Sequence, residues 1–402
     1  MPKMNRFVPA LVLAVISVSA GVILVETGLR LAGISYVQAY TYDEFRGSAL
    51  RAGAEGQWTR EGESWIKINS DGLRDREHRV AKNKNTFRIA VLGDSYAEAF
   101  QVSRADTFWQ VMETELGHCA GLKGKTVEVI NFGVAGYGTA QELLTFRNQA
   151  RKYDPDLVLL AVVTGNDIRN NSKILEPDKA RPFFVYENGK LILDLSFQDL
   201  PQYKSGRSFL KRMMRQASTH LRVVQLLYEV KQRGVTGFLS GEKKVKPAAN
   251  RVQKHNVPER GLDVAVYHEP VMPEWQAAWR ITEELIVMLN NEVEASGASF
   301  LVVTLSNGIQ VHPDPVVRQR FMDAQNISSL FYPDERIREI CRLADIPVLT
   351  LAKPFRGYAE QHNECLHGFE NATPCGGHWN EKGHFLAGRL IAQEICASIR
   401  RF

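Results

Sequence analysis

The distribution of apolar and polar positions changes character along the chain. Residues 7–25, FVPALVLAVISVSAGVILV, carry no charge, and about 20 apolar residues suffice to cross a bilayer as a helix. Residues 35–85 are polar, with short elements and no strong period. From Phe87 the pattern sharpens. Phe87–Leu92, Val127–Asn131, Leu157–Val163, Ser299–Leu305 and Pro347–Leu351 are short apolar runs that read as buried strands. Between and after them, residues 106–118, 139–152, 274–296, 333–344 and 384–399 have the three-and-four spacing of amphipathic helices. Strands alternating with helices predict a three-layer α/β/α domain around a central, mostly parallel sheet.

Residues 172–265 interrupt this rhythm. Apolar runs flanking Asn188-Gly189 in 183–193 predict a hairpin. Aromatics Phe183, Phe184 and Tyr186 either pack that hairpin or stack on a sugar. Residues 208–233 read as helical and basic. Residues 241–260 hold Lys243, Lys244, Lys246, Arg251, Lys254 and Arg260 against two acids, a solvated loop or a contact for an anionic lipid or glycan surface. The expected division is a membrane segment over 1–34, a lead-in over 35–85, and a main domain over 86–402 with its insertion at about 172–265.

Composition narrows the class. Apolar residues make up 44% and charged residues 24% of 402 positions, ordinary globular usage. A balance of 50 Lys+Arg against 45 Asp+Glu gives no reason to expect a nucleic-acid partner. Lys3 and Arg6 precede the apolar run, so the positive-inside rule puts the N-terminus in the cytoplasm and the remainder outside. The expected location is a bacterial inner membrane, single-pass, with the domain in the periplasm. Cleavage of a signal peptide after Val18-Ser19-Ala20, and secretion, is the alternative. Export permits disulfides. Cys365 and Cys375 are expected to pair. Of Cys119, Cys341 and Cys396, a Cys341–Cys396 pair is one option, leaving one thiol over.

Four segments carry candidate chemistry. Gly93-Asp94-Ser95 closes the first main strand, where ligands gather in open α/β sheets; the plain role of Ser95 there is to cap a helix. Gly133-Val134-Ala135-Gly136 follows the second strand as a tight turn. It lacks dinucleotide-binding spacing and any phosphate-binding lysine motif. Thr164-Gly165-Asn166-Asp167 follows the third, where an Asn amide can donate to developing negative charge. His378, in Gly377-His378-Trp379-Asn380, precedes the last helix and can serve as a base. His362, His367, His378 and His384 lie near Cys365 and Cys375, but the spacing matches no usual metal-ligand pattern. Neither a metal nor a cofactor is expected.

One hydroxyl, two oxyanion donors and one base make the inventory for acyl transfer. In that order, Ser, Gly, Asn, His, the chain resembles the SGNH (GDSL-type) hydrolase superfamily over roughly 85–170 and 295–402. Arg88–Ser95 and Pro155–Val158 add to the likeness, as does an anchored N-terminus. The resemblance implies Ser95 as nucleophile and His378 as base. It implies an oxyanion hole of the Ser95 N–H, the Gly136 N–H and the Asn166 side chain, with Gly136 preferred to Gly133. His384 falls inside the helix as a packing residue. The family's Asp two or three residues before the His is missing: Cys375 and Gly376 stand there. Glu370 or Glu381 can substitute, a backbone carbonyl can hold the imidazole, or activity is weak or lost.

The function this implies is an exported serine esterase acting on O-acyl, above all O-acetyl, groups of a cell-envelope glycan or lipid. An O-acyltransferase using the same Ser–His site is a second reading. A non-catalytic glycan-binding or scaffold protein, favoured by the missing acid, is a third.

Overall fold

The computed structural model describes residues 7–233 and 262–399; the basic stretch 241–260 lies outside the described residues. Phe7–Leu31 is one helix. Its span Pro9–Leu31 is the one described helix long and apolar enough to cross a membrane, and its apolar window is wholly unburied.

Two hairpins follow: β1 (Tyr40–Asp43) with β2 (Gly47–Leu50), and β3 (Glu55–Trp58) with β4 (Ser64–Lys67). The main strands are β5 (Thr86–Gly93), β6 (Thr126–Asn131) and β7 (Leu157–Val163). A further hairpin is formed by β8 (Phe183–Glu187) and β9 (Lys190–Asp194). The sheet is completed by β10 (Ser299–Leu305) and β11 (Val348–Thr350). In space the central order is β11-β10-β7-β5-β6, all parallel. Counted within the sheet this is the doubly wound order 2-1-3-4-5, whose direction reverses between β5 and β7. Helices cover both faces, giving the three-layer α/β/α arrangement.

Period-two alternation explains why both faces need cover. Along β7, Leu157, Leu159, Ala161 and Val163 join one core with Phe108, Met112, Phe355, Ile391 and Ile395. Val158, Leu160 and Val162 join the other with Leu143, Trp279, Leu285 and Leu289. The helices Phe108–Leu116, Ala352–His362 and Glu381–Ser398 therefore lie on one side. Thr139–Asn148, Pro273–Ala295 and Tyr332–Leu343 lie on the other.

The structure adds detail to three of these readings. Within the lead-in 35–85, Val37, Leu50, Ile66 and Ile68 pack with Phe100, Val134 and Tyr137 in a third small core. The second disulfide joins Cys119 to Cys396, with Cα atoms 5.8 Å apart. It ties the end of helix 108–116 to the last helix, and buried Cys341 is left as the free thiol. Phe183 and Phe184 are buried, and Tyr186 bonds Glu284 and carries Arg280 over its ring. The hairpin aromatics are therefore packing residues rather than a sugar platform.

Candidate active site

Ser95, Gly136, Asn166 and His378 are all partly exposed among mostly buried neighbours. The first three follow β5, β6 and β7 at their carboxyl ends, on either side of the point where the strand order reverses. Asp94 is buried and caps the short helix Ser95–Glu98 by accepting from Tyr96 N–H at 2.9 Å. This fixes the Ser95 backbone at a helix N-terminus. Gly133 is required by contact: a Cβ there would stand 2.5 Å from Ala97 Cβ and 2.7 Å from Glu98 N. The β6 loop thus lies directly on the Ser95 helix. The Gly133 N–H is taken by Asn131 Oδ1 at 3.0 Å. The Gly136 N–H has no hydrogen-bond partner among the described residues, while its carbonyl accepts from Arg181 and from Asn170.

Asn166 Nδ2 donates to Asp94 Oδ2 at 3.1 Å, and the Ser95 hydroxyl reaches the same oxygen at 3.4 Å. One buried carboxylate therefore holds the Asn amide beside the serine. An amide nitrogen carries two hydrogens, so the second remains available for a ligand oxygen. Burial raises the Asp94 carboxyl, against the lowering effect of its hydrogen bonds and of His378. Beneath it, burial and the neighbouring charge of Asp94 push Glu142 and Asp167 well above the carboxylate range.

His378 Nε2 lies 2.8 Å from Ser95 Oγ. Its Nδ1 lies 2.6 Å from Glu61 Oε2, and its backbone N–H donates to Glu61 Oε1 at 2.9 Å. Glu61, in the turn between β3 and β4, fills the place that the sequence left vacant. Glu370 and Glu381, the acids considered from sequence, are exposed. Glu381 is the first residue of the last helix, and the ring nitrogen they were to serve is occupied. Sequence reasoning missed Glu61 because it lies 317 positions from His378; the one signal was the absence of an acid near the His.

The two turns are held against each other. Asn371 Oδ1 accepts from Gly62 N–H and Asn371 Nδ2 donates to Gly62 O, both at 2.9 Å. Asn371 lies in the loop closed by the Cys365–Cys375 disulfide. Gly377 has φ +85°, and a Cβ there would come within 2.4 Å of Glu61 Oε1, so only glycine lets the carboxylate approach. Tyr96 Oη donates to Gly377 O at 2.9 Å, and His367 Nδ1 bonds the same carbonyl at 2.7 Å. Buried Trp379 donates to Ser306 Oγ at 3.0 Å. Asn380 caps the last helix through Lys382 and Gly383 N–H. His384 is buried in that helix, its ring parallel to Phe108. Burial first, then neighbouring positive groups, hold it neutral well below the usual imidazole range.

The electrostatics suit a relay. Burial works to lower the His378 imidazole, but the hydrogen bond and charge of Glu61, with Asp94 and Glu98, raise it above its ordinary value. Burial works to raise the Glu61 carboxyl, and His378 outweighs it, leaving Glu61 lowered and ionised. Among the described residues no group of three or more His, Cys, Asp or Glu side chains is arranged to hold a metal ion.

No family model and no curated protein matches this chain. Solved structures do. An acetyl xylan esterase is 13% identical, with 78% of this chain and 99% of that chain covered at a TM-score of 0.36. A lipase/acylhydrolase from Enterococcus faecalis is 13% identical, covering 77% and 95% at 0.36. A catalytic mutant of an acetylxylan esterase from Geobacillus stearothermophilus is 11% identical, covering 79% and 96% at 0.37.

Proposed function

We propose that this protein is an SGNH-type serine esterase whose relay is Ser95, His378 and Glu61. The observation that carries the reading is the unbroken hydrogen-bond chain from Glu61 Oε2 through both ring nitrogens of His378 to Ser95 Oγ, at 2.6 and 2.8 Å. A nucleophile within reach of a base, with the base oriented by a third group, is the arrangement that activates a serine.

In this mechanism Ser95 Oγ attacks the carbonyl carbon of an ester while its proton passes to His378 Nε2. Glu61 holds the ring with Nδ1–H toward itself and stabilises the cation that forms. The carbonyl oxygen becomes an oxyanion, met by the Ser95 N–H, the Gly136 N–H and the second Asn166 amide hydrogen. As the carbon–oxygen bond to the leaving alcohol breaks, His378 returns the proton to that oxygen, leaving acyl-Ser95. Water then attacks the acyl carbon and gives a proton to His378; as the acyl–Oγ bond breaks, His378 passes that proton to Ser95 Oγ, and the acid departs with Ser95 and His378 restored. If a sugar hydroxyl takes the place of water, the same steps transfer the acyl group.

The substrate class we propose is an O-acyl, above all O-acetyl, ester on a glycan or lipid of the cell envelope. The anchoring helix and the two disulfides support an exported domain. The non-catalytic alternative loses the feature that favoured it, because an acid does stand at His378. The test is turnover of p-nitrophenyl acetate by the full-length chain in detergent micelles. Activity that disappears in Ser95→Ala is expected; equal activity in Ser95→Ala rejects the reading.

A further inference from the structure

The helix Phe209–His220 is turned inside out for a protein in water. Its apolar side chains Phe209, Leu210, Met213 and Met214 are 55% to 70% exposed. Its polar side meets the domain. The Arg215 guanidinium lies 5.3 Å from the Tyr42 ring centre, and Ser218 is buried against Arg51. A surface helix in water presents the opposite arrangement. A contiguous exposed apolar patch of this kind marks a contact surface.

The end of this helix and the helix that follows it meet the C-terminal end of the apolar helix Phe7–Leu31. Arg30 Nη2 donates to His220 O at 2.5 Å, and Glu26 Oε2 accepts from Val223 N–H at 3.0 Å. Arg222 Nη1 donates to Leu29 O at 3.2 Å, and Ser35 Oγ to Gln225 Oε1 at 2.9 Å. The domain thus meets the candidate membrane span through the last residue of helix 209–220 and the helix that follows it, which sets helix 209–220 at the same end of the domain as that span. Residues 200–222 hold Lys204, Arg207, Lys211, Arg212, Arg215 and Arg222 and no acid, a charge that suits anionic headgroups.

We propose that helix 209–220 lies in the outer leaflet of the membrane spanned by residues 7–31, with Phe209, Leu210, Met213 and Met214 among the acyl chains and the basic side chains at headgroup level. This seats the domain on the bilayer rather than leaving it on a tether. The seat also reaches the candidate active site: Glu229, in the following helix Arg222–Arg233, pairs with Arg60 at 3.3 Å, next to Glu61. The site is thereby held near the bilayer, where a lipid-linked or surface-bound acyl ester would meet it.

The test uses the full-length chain reconstituted in phosphatidylethanolamine–phosphatidylglycerol vesicles, with and without lipids brominated near the top of the acyl chain. Met213→Trp adds a reporter on the apolar face and Lys211→Trp one on the polar face; both positions are exposed, so folding is preserved. The parent emission is subtracted. The Met213→Trp signal is expected to be blue-shifted and to lose about half its intensity to bromolipid, with Lys211→Trp quenched much less. Equal quenching at both positions, or none at Met213→Trp, overturns the proposal. So does a blue shift that bromolipid leaves untouched and that fades as protein is diluted in the vesicles, since a second copy would then cover the face. A mature N-terminus at Gly21 also overturns it. Hydrolysis of a soluble ester is expected to be the same in both variants and the parent, so this outcome is independent of the catalytic reading.

Discussion

Glu61 meets His378 twice, at the ring and at the backbone, so its removal disturbs both the tautomer and the loop. Glu61→Gln keeps the size and loses the charge. We expect kcat to fall by up to roughly 10⁴, as when the orienting acid of a serine protease is neutralised. The pH profile should report the same change. The base works when neutral, so kcat/KM should rise with pH through a limb above the ordinary imidazole value of 6.5, the direction in which Glu61 moves His378. In Glu61→Gln that limb should move to lower pH; an unmoved limb would mean that Glu61 does not govern the ring. Asn166 acts at the other end of the reaction. Asn166→Ala should cost roughly 10²–10³ in kcat with KM little changed, the usual effect of losing one oxyanion donor. Ser95, Gly136, Asn166 and His378 could be nominated from sequence because their segments stand at strand ends or just before a helix and because their order resembles the SGNH pattern, which also implied Gly136 over Gly133. Glu61 could not, because nothing in Trp58-Thr59-Arg60-Glu61-Gly62 distinguishes a relay acid from a turn acid.

At the scale of elements, legibility followed length and self-sufficiency. Strands β5, β7 and β10 are buried on both faces; β7 reads as an uninterrupted apolar run, and the apolar runs of β5 and β10 are broken only by Arg88 and Thr304. The four-residue strands β3 and β4 are too short to show a period, and they complete their core with Phe100, Val134 and Tyr137 from the main domain. Local composition therefore looked polar where the folded segment is packed. Pairing of the cysteines depended on which helices meet. Helix 108–116 packs along the last helix, bringing Cys119 to Cys396, a neighbourhood that the linear order does not reveal. That bridge closes a span of 277 residues. Cys119→Ser with Cys396→Ser should lower stability by about 2–4 kcal/mol, read as a lower denaturant midpoint with ester turnover retained under native conditions. A midpoint equal to the parent's would mean the bridge contributes nothing to the fold. Cys341 should stay unmodified by thiol reagents until unfolding, since burial pushes its thiol up to about 12.

Across the whole molecule, an unburied apolar helix, two disulfides and a domain open at the carboxyl ends of its sheet form one consistent arrangement. Export, as proposed above, would place the bridges in an oxidising compartment. Protease added to intact spheroplasts should therefore digest the domain beyond residue 34; protection until lysis would place it on the wrong side. The central claim is that Glu61, His378 and Ser95 act together to make one serine a nucleophile. Its most direct test is labelling of the full-length chain with a fluorophosphonate, followed by peptide mass spectrometry. A single adduct on Ser95, formed faster as pH rises through the His378 limb and lost in His378→Ala, is the predicted result. An unlabelled Ser95, or labelling that persists unchanged without His378, would contradict it.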